Sequence, residues 1–295
     1  MNKLVSPVHH ERIANLCVCC GSNSLDKSSA ILMPFVAHRA FGWKPVEITD
    51  SLGLETIKNG MAYSLCNTVL CRNCDHLFLD IRFSESEMNS LYNGYRERDY
   101  TDLREKYEPG YRERNLKLNS GVNYIDDIED FLSPHLDFPL SILDWGGDTG
   151  KNTPYKTRNK LFHVYDISNK SELITGAKKI AIEDAIDTDY DLIVCSNVLE
   201  HAPYPADIIH DIKALMCADS VLYIEIPLED IVRTCDSDTK LVKKRHWHEH
   251  INFFSESSIR ALLSNSGLEV IDFKLLQASA GSNTSWQQLI ACKLS

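Results

Sequence analysis

The second half of the chain alternates short apolar runs with stretches of helical spacing. The apolar runs are nearly continuous in Val, Ile and Leu, a pattern typical of parallel strands that are buried on both faces. We therefore predict strands at Ser141–Trp145, Leu161–Asp166, Lys179–Glu183, Asp191–Ser196 and Val221–Ile226. The alternation of such strands with helices indicates an α/β fold with a mainly parallel sheet.

Two helical segments and a hairpin complete this pattern. Pro205–Cys217 has apolar residues at helical spacing, and Ser255–Gly267 begins with an N-capping serine and stops at a glycine. Two long apolar runs follow, Leu268–Leu276 and Trp286–Leu294, joined by a loop around residues 280–283. They predict a hairpin that closes the sheet edge, which gives a Rossmann-like sheet of seven strands.

The remaining sequence divides the chain into three regions. Residues 1–85 are rich in cysteine without a long helical period, residues 86–135 are polar and predicted to be a helical linker or lid, and residues 136–295 carry the α/β pattern. The linker is crowded with Tyr92, Tyr95, Tyr100, Tyr107 and Tyr111. These side chains either pack the linker onto the α/β region or line a pocket for a carbohydrate or aromatic ligand.

Composition and charge narrow the classes of function. Of the 295 residues, 43% are hydrophobic and 25% are charged, as in water-soluble globular proteins. The net charge of −11 argues against nucleic acid as a partner, because binding it needs clustered Lys and Arg. The sequence shows no apolar run of membrane-spanning length, and its first residues lack the apolar core of a signal peptide. We therefore expect a cytoplasmic protein.

Cysteine spacing predicts a metal site in the first region. Two C-x2-C pairs, Cys17 with Cys20 and Cys71 with Cys74, supply the four thiolates that a structural Zn²⁺ site needs. Four thiolates leave no open position for a substrate, so we expect a structural site in a small zinc-ribbon-like module. Cys19, Cys66 and His76 are rival ligands, and four free or buried thiols are the plainer alternative.

The stretch DWGGDTG, from Asp144 to Gly150, predicts a ligand-binding loop after the first strand of the α/β region. Gly146 and Gly150 allow close approach of the backbone, and Asp148 is one of the few other residues that tolerates left-handed geometry. Asp166 ends the second strand, where an acid can accept hydrogen bonds from ribose hydroxyls. Thr153 and Pro154 then predict the start of a helix after the loop.

Asp148 indicates which charge the ligand of this loop carries. A dinucleotide would place its pyrophosphate on this loop, where Asp148 would repel it. S-Adenosylmethionine has no phosphate and carries a sulfonium and an ammonium group, so acids near the loop are favourable. Asp144 is a second acid, well placed for the ammonium group. A nicotinamide enzyme that uses the same loop is the alternative that Asp148 disfavours.

The segment DYDLIVCSNVLEH, from Asp189 to His201, resembles the "FDLVxxxxVLEH" segment of class I S-adenosylmethionine-dependent methyltransferases. The resemblance covers about residues 115–295, in which the glycine loop, the ribose acid, this segment and the closing hairpin appear in family order. It implies a class I methyltransferase sheet and a methyl donor held by the loop. The predicted cofactor-binding residues are Asp144, Gly146, Gly147, Asp148, Gly150, Asp166, Ile167, Glu183, Asp184, Ser196 and Asn197.

The cysteine-rich region sharpens the resemblance. Paired C-x2-C knuckles, a tyrosine-rich linker and a methyltransferase domain together resemble the zinc-containing sugar C-methyltransferases of deoxysugar pathways. Those enzymes have a Y-H-E-H motif after the fifth strand, and the matching residues here are Trp247, His248, Glu249 and His250. Trp247 departs from the motif, and the sequence does not extend into the large C-terminal domain of those enzymes.

The resemblance implies a small-molecule acceptor, most simply a sugar that is nucleotide-linked or destined for a surface glycan, methylated on oxygen or carbon. His250 is the first candidate base, Glu249 would orient or assist it, and His201 is the second candidate. A structural role for His250 and a metal cluster of His246, His248 and His250 stay open. A zinc-binding module fused to a catalytically degenerate methyltransferase fold is the alternative function.

Overall fold

The computed structural model describes residues 11–52, 59–119, 121–168, 172–280 and 283–295. The described strands are β1 Leu25–Leu32, β2 Val46–Ile48, β3 Gly60–Ala62, β4 Leu65–Cys71, β5 Leu77–Leu79, β6 Leu140–Trp145, β7 Asn159–Tyr165, β8 Lys178–Lys179, β9 Leu192–Ser196, β10 Val221–Pro227, β11 His246–Trp247, β12 Asn252–Phe253, β13 Leu268–Ala280 and β14 Asn283–Leu294. The described α-helices are α1 Pro34–Phe41, α2 Glu85–Tyr92, α3 Arg98–Tyr107, α4 Tyr111–Asn119, α5 Ile125–Leu132, α6 Ile182–Ala185, α7 Pro205–Lys213, α8 Asp230–Thr234, α9 Ser237–Lys243 and α10 Glu256–Asn265.

The larger sheet has seven strands in the order β13-β14-β10-β9-β6-β7-β8. The neighbouring pairs from β10 to β8 are parallel, whereas β14 runs antiparallel to both β10 and β13. Strands β6, β9 and β10 are almost entirely buried, as their continuous apolar runs predicted. The predicted Rossmann-like sheet of seven strands with a closing hairpin is therefore confirmed. Gly281 and Ser282, in the predicted hairpin loop, lie outside the described residues.

The third predicted strand is much shorter than its apolar run indicated. Only Lys178 and Lys179 pair with β7, and α6 begins at Ile182, so Glu183 and Asp184 lie on a helical turn instead of a strand. The strand lies at the edge of the sheet, where short strands limit unwanted pairing. The prediction of a strand at Lys179–Glu183 is wrong in its length and position.

No helix follows the glycine loop among the described residues up to β7, so the predicted helix start at Thr153 and Pro154 is wrong. The hydroxyl group of Thr153 donates hydrogen bonds to Asp144 and to the carbonyl oxygen of Gly150. Tyr155 has a φ of 56°, a left-handed conformation that a helix cannot continue through. The side chain of Thr153 therefore stabilises the glycine loop and is not the N-cap of a helix.

Helix α10 begins as the sequence predicted. Ser255 is its N-cap and forms a capping box with Ser258, in which each side chain accepts from the other residue's backbone N–H group. The helix buries Ile259, Leu262 and Leu263 against the seven-stranded sheet. This helix and α7 cover one face of the sheet.

A second sheet has the strand order β11-β1-β4-β5-β12 and combines distant parts of the chain. Strand β11 pairs in parallel with the end of β1, and β12 pairs antiparallel with β5. The segment between β11 and β12 contains His248, Glu249 and His250, so this sheet carries it directly. The predicted helical linker corresponds to α2, α3, α4 and α5.

One hydrophobic cluster spans both sheets, while the other face of the second sheet packs in a cluster of its own. A single cluster of buried side chains joins Cys17 and Cys74 of the first region to Leu143 and Ile193 of the seven-stranded sheet. Along the described parts of the chain, no helix combines the length and the apolar character that crossing a membrane requires.

Candidate functional site

The glycine loop lies at the carboxyl end of β6, beside the end of β9. Gly146 has a φ of 78°, and a Cβ atom there would approach Cγ2 of Val198 to 2.5 Å. A Cβ atom on Gly147 would lie 2.4 Å from Cγ of Asp144. These positions therefore require glycine, because the loop folds back tightly over Asp144.

Asp166 fastens the loop to the end of β7. Its two carboxylate oxygens accept hydrogen bonds from the backbone N–H groups of Asp148, at 2.8 Å, and of Ser168, at 2.7 Å. Asp148 has a φ of 52°, a left-handed conformation that aspartate tolerates better than most other residues. Asp148 and Asp166 together thus fix the curvature of the loop.

Asp144 lies beneath the loop, buried, and accepts a hydrogen bond from the hydroxyl group of Thr153. Burial raises the pKa of Asp144 to about 7, and the neighbouring charges of Asp166 and Asp148 raise it further than burial alone would. The loop is consequently surrounded by acids, an electrostatic environment that favours a cationic ligand over an anionic one.

Glu225 connects Ser196 and Asn197 at the ends of β9 and β10. Its carboxylate accepts hydrogen bonds from Ser196 Oγ at 3.1 Å, Asn197 Nδ2 at 3.4 Å and Tyr124 Oη at 2.6 Å. Sequence reasoning did not select Glu225, although an acid inside the apolar strand VLYIEI was a usable signal. Tyr124 belongs to the linker region, so the linker reaches the floor of the site.

Of the remaining predicted cofactor residues, Ile167, Glu183 and Asp184 are exposed, whereas Gly150 is buried. Ile167 is exposed and lines an open cleft of about 400 Å³ together with Asn89, Ser90 and Asn93. This cleft lies between α2 and the segment that follows Asp166. Gly150 packs against Phe162 within the loop, and Glu183 and Asp184 are exposed on α6.

Two histidines face each other at the other side of the site. The rings of His201 and His250 lie 4.7 Å apart in an edge-to-face arrangement. Nδ1 of His250 lies 2.9 Å from Oε1 of Glu229, and Nδ1 of His201 lies 3.0 Å from the backbone oxygen of Glu249. The structure thus brings together the predicted residues His201, Glu249 and His250.

The two rings differ in their tendency to hold a proton. Burial lowers the pKa of His201, and the charge of His250 lowers it further. Burial alone would also lower the pKa of His250, but the hydrogen bond to Glu229 and the charge of Glu200 outweigh it and raise that pKa.

The carboxylate of Glu249 is held by the linker. It accepts hydrogen bonds from Tyr100 Oη and from Arg104 Nη1, the latter at 2.6 Å in a buried ion pair. Tyr100 and Arg104 lie on α3. The side chain of Glu249 therefore joins the linker to the site, while its backbone oxygen orients His201.

The structure shows the packing role of the linker tyrosines and places one of them beside a candidate catalytic residue. Tyr100 and Tyr111 are buried and pack the linker helices against Phe35, whereas the hydroxyl group of Tyr92 reaches Nδ1 of His201 at 2.9 Å. The edge of the Tyr95 ring contacts Tyr92 and Tyr100.

Trp247, the departure from the sugar methyltransferase motif, is fully buried in the second sheet. Its indole N–H group donates to Oγ1 of Thr68 at 2.8 Å, so its role there is structural. His246 is exposed, and His248 lies 3.5 Å from Glu108 on the linker side. Among the described residues, neither histidine belongs to a cluster of metal-ligand geometry with His250.

Glu200 belongs to the sequence segment that ends in Leu199, Glu200 and His201, but only His201 of these three was predicted to be a site residue. It is buried, and neither carboxylate oxygen has a hydrogen-bond partner in the described part of the chain. Burial raises its pKa to about 7. One ligand atom each from Glu200, His201 and His250 lie within 4.8 Å of one another.

The four predicted cysteine ligands come together on two tight turns. Sγ of Cys17 lies 3.6 Å from Sγ of Cys74, and Sγ of Cys20 lies 3.6 Å from Sγ of Cys71. Four sulfurs that surround a tetrahedral zinc ion at about 2.3 Å must lie roughly 3.8 Å apart, so the cluster can hold a metal ion. The rival ligands Cys19, Cys66 and His76 are not part of it.

Comparisons with known proteins identify similar sequences and structures. A family profile described as a methyltransferase domain matches residues 111–272. The C-methyltransferase NovU of Streptomyces niveus is 28% identical over 83 residues, which are 28% of this chain and 18% of that protein.

Solved structures that resemble the chain are more distant. A Burkholderia thailandensis 1,6-didemethyltoxoflavin-N1-methyltransferase, with its bound substrate and S-adenosylhomocysteine, has a TM-score of 0.45 at 16% identity and covers 65% of this chain and 88% of its own. Magnesium protoporphyrin IX methyltransferase from Synechocystis, with bound S-adenosylhomocysteine, has a TM-score of 0.40 at 15% identity, covering 62% of this chain and 86% of its own. At these scores the two structures assign nothing to individual residues of this chain.

Proposed function

The chain belongs to the family of methyltransferase domains, and we propose that it transfers the methyl group of S-adenosylmethionine to a sugar-type small molecule. The proposed acceptor atom is an oxygen or a carbon. Residues 136–295 form the catalytic part, residues 86–135 the lid and residues 1–85 a module stabilised by zinc.

The observation that carries the choice of methyl donor is the ring of acids around the glycine loop. Asp144 lies under the loop and bonds to Thr153, Asp148 lies within the loop, and Asp166 accepts a hydrogen bond from the backbone N–H group of Asp148. A pyrophosphate would meet unfavourable charge at each of these positions, whereas the ammonium and sulfonium groups of the methyl donor would be stabilised. This pattern disfavours a nicotinamide dinucleotide.

The acceptor is proposed to lie between the loop and the pair His201 and His250. S-Adenosylmethionine supplies an activated methyl group, so positioning the acceptor in line with it is the main requirement. Removal of a proton from the acceptor falls to the cluster of Glu200, His201 and His250, with His250 as the first candidate base. Glu249 positions His201 and holds the lid.

A sugar is supported by two observations. Tyr92 and Tyr95 bring flat rings and hydroxyl groups to the acceptor side, a combination suited to hydroxyl-rich ligands. The partial similarity to the C-methyltransferase of Streptomyces niveus points in the same direction over about a quarter of the chain. The four-cysteine cluster is proposed to hold Zn²⁺, because thiolates select that ion in a tetrahedral site.

Binding of S-adenosylhomocysteine tests the donor site directly. We expect it to raise the melting temperature of the full chain by mass action, whereas NAD should not. Gly147→Ala should abolish that shift, since its Cβ atom would collide with Asp144. Gly60→Ala is the matched control, because its Cβ atom meets no heavy atom within 4 Å.

A stabilisation by NAD that equals that of S-adenosylhomocysteine would contradict the proposed donor. Stabilisation by S-adenosylhomocysteine without turnover on any sugar or nucleotide-sugar acceptor would instead favour the binding module with a degenerate methyltransferase fold.

A further inference from the structure

Glu200 is an unusual group on the acceptor side of the site. It is 1% exposed, and neither of its carboxylate oxygens has a hydrogen-bond partner in the described part of the chain; Oε1 lies 3.9 Å from Nε2 of His201. Buried polar groups in folded proteins are almost always hydrogen-bonded, because an unpaired one loses its hydration without compensation. Its carboxylate therefore points to a ligand that completes it.

The two neighbouring histidines are oriented so that each keeps one ring nitrogen available. Nδ1 of His250 donates to the carboxylate of Glu229 at 2.9 Å. Nδ1 of His201 lies 3.0 Å from the backbone oxygen of Glu249, which can only accept, and 2.9 Å from Tyr92 Oη, which can also accept, so this nitrogen carries the proton. Nε2 then carries the lone pair in each ring. Histidines that bind metal ions commonly show this arrangement, with the second nitrogen bonded to a carboxylate or a backbone carbonyl group.

The backbone also preorganises the cluster. The carbonyl oxygen of Glu200 accepts hydrogen bonds from the N–H groups of Ile251 at 2.8 Å and Asn252 at 3.0 Å. His250, which precedes Ile251, is thereby fixed beside Glu200, although the two are far apart in sequence. Ligand atoms of the three side chains lie within 4.8 Å of one another, so small side-chain rotations bring them to one ion.

We propose that Glu200, His201 and His250 bind a divalent first-row transition metal ion, a second metal site separate from the four cysteines. Two imidazoles and one carboxylate suit ions such as Mn²⁺, Fe²⁺, Co²⁺ or Zn²⁺, and three protein ligands leave positions open for a substrate. Glu229 and the backbone oxygen of Glu249 hold the ligands from behind.

The role of this ion rests on the proposed methyltransferase function, and the ion would replace His250 as the group that activates the acceptor, because a His250 that binds a metal through Nε2 has no lone pair left to accept a proton. An acceptor hydroxyl that occupies an open position would have a lowered pKa and would release its proton to water. Its oxygen would then form the new bond to the methyl carbon while the bond from that carbon to sulfur breaks and its electron pair returns to sulfur. Methylation of a hydroxyl oxygen is the chemistry that such a site favours.

Titration with Mn²⁺, followed by electron paramagnetic resonance, tests the site on the full chain with its cysteine-bound metal retained. Mn²⁺ is the chosen probe because it is paramagnetic and, as an ion that favours oxygen ligands, competes poorly for the thiolates of the cysteine cluster. We expect one Mn²⁺ to bind per chain. Glu229→Gln should weaken binding about 10–100-fold, as loss of a supporting partner does, and Glu200→Gln should weaken it more.

His163→Gln is the matched control, since His163 is buried and bonded to Tyr190 away from the cluster. It should bind Mn²⁺ as the unmodified chain does, whereas His250→Gln should not. Thermal melting of each variant establishes that it folds, and the partly exposed His250 provides a second ligand variant should Glu200→Gln be unstable.

No Mn²⁺ bound at millimolar concentration, or equal binding by Glu200→Gln, would overturn the proposal. Stabilisation by S-adenosylhomocysteine is recorded in the same samples. If it persists without Mn²⁺ binding, the metal site is wrong and the methyltransferase function stands. If Mn²⁺ binds and S-adenosylhomocysteine does not, the proposed donor is wrong.

Discussion

At the scale of single residues, charge and burial were only partly readable from the sequence. Asp144, Asp148 and Asp166 could be identified because they stand at fixed positions around a glycine loop. Glu200 and Glu225 could not be selected in the same way, because most of their neighbours in the site are distant in the sequence. His250 lies beside Glu200, and Tyr124 and Ser196 donate to Glu225. An acidic residue inside an apolar strand, as Glu225 is, therefore marks a candidate functional residue.

Asp144 predicts how donor-site affinity depends on pH. Its pKa is raised to about 7, chiefly by burial, so the free protein holds it protonated below that pH. A bound ammonium group favours the ionised form. The affinity for S-adenosylhomocysteine should therefore increase as the pH rises towards 7, by up to about tenfold per pH unit, and level off above it.

Calorimetric titration between pH 5.5 and 8.5 measures this dependence. Asp144→Asn should bind more weakly and lose the rise with pH, while Asp26→Asn, on β1, should retain it. A rise of unchanged size in Asp144→Asn would assign the titration to another group.

At the scale of elements, the seven-stranded sheet was predictable because its strands are continuous apolar runs. Strands β11 and β12 were not, since each described strand has two residues and shows no periodicity of its own. Their pairing is set by long-range contacts with β1 and β5. The missing helix after the glycine loop has a similar cause, because the hydroxyl group of Thr153 is used by Asp144.

The ion pair between α3 and Glu249 predicts the strength of the lid contact. Arg104 and Glu249 have side chains only 8% and 9% exposed, so Arg104→Met leaves a buried carboxylate without its cation. We expect it to lower the free energy of unfolding by about 3–5 kcal/mol in urea denaturation.

The control for this variant is Arg112→Met, whose pair with Asp102 is exposed, at 60% and 47%. It should lower the free energy of unfolding by only about 0–1 kcal/mol. Equal losses in the two variants would mean that the lid is not held by the Arg104 pair.

At the scale of the whole molecule, the four-cysteine cluster is continuous with the catalytic sheet. The backbone oxygen of Cys74 accepts hydrogen bonds from the hydroxyl groups of Ser255 and Ser257, at the first turn of α10. Cys17 and Cys74 also belong to the same buried cluster as Leu143. The sequence analysis treated the cysteine region and the α/β region as separate, because contacts between buried residues far apart in the chain do not produce a local hydrophobic period.

Removal of the metal ion proposed for the four-cysteine cluster should therefore destabilise the whole chain. We expect one cooperative transition in differential scanning calorimetry, shifted to lower temperature by a strong chelator or by Cys71→Ser. Cys235→Ser, outside the cluster, should leave the transition in place. Two resolved transitions, with only the first sensitive to the chelator, would show that the cysteine region unfolds independently.

The second sheet also has a consequence for how the protein is made. Its outer strands β11 and β12 come from residues 246–253, whereas β1, β4 and β5 end by Leu79. During synthesis the ribosome must therefore deliver about 170 further residues while the edges of β1 and β5 remain unpaired. A fragment that ends at residue 85 would leave the outer edges of β1 and β5 unpaired. We therefore expect it to aggregate, so that it could not be used as an independent zinc-binding domain in another protein.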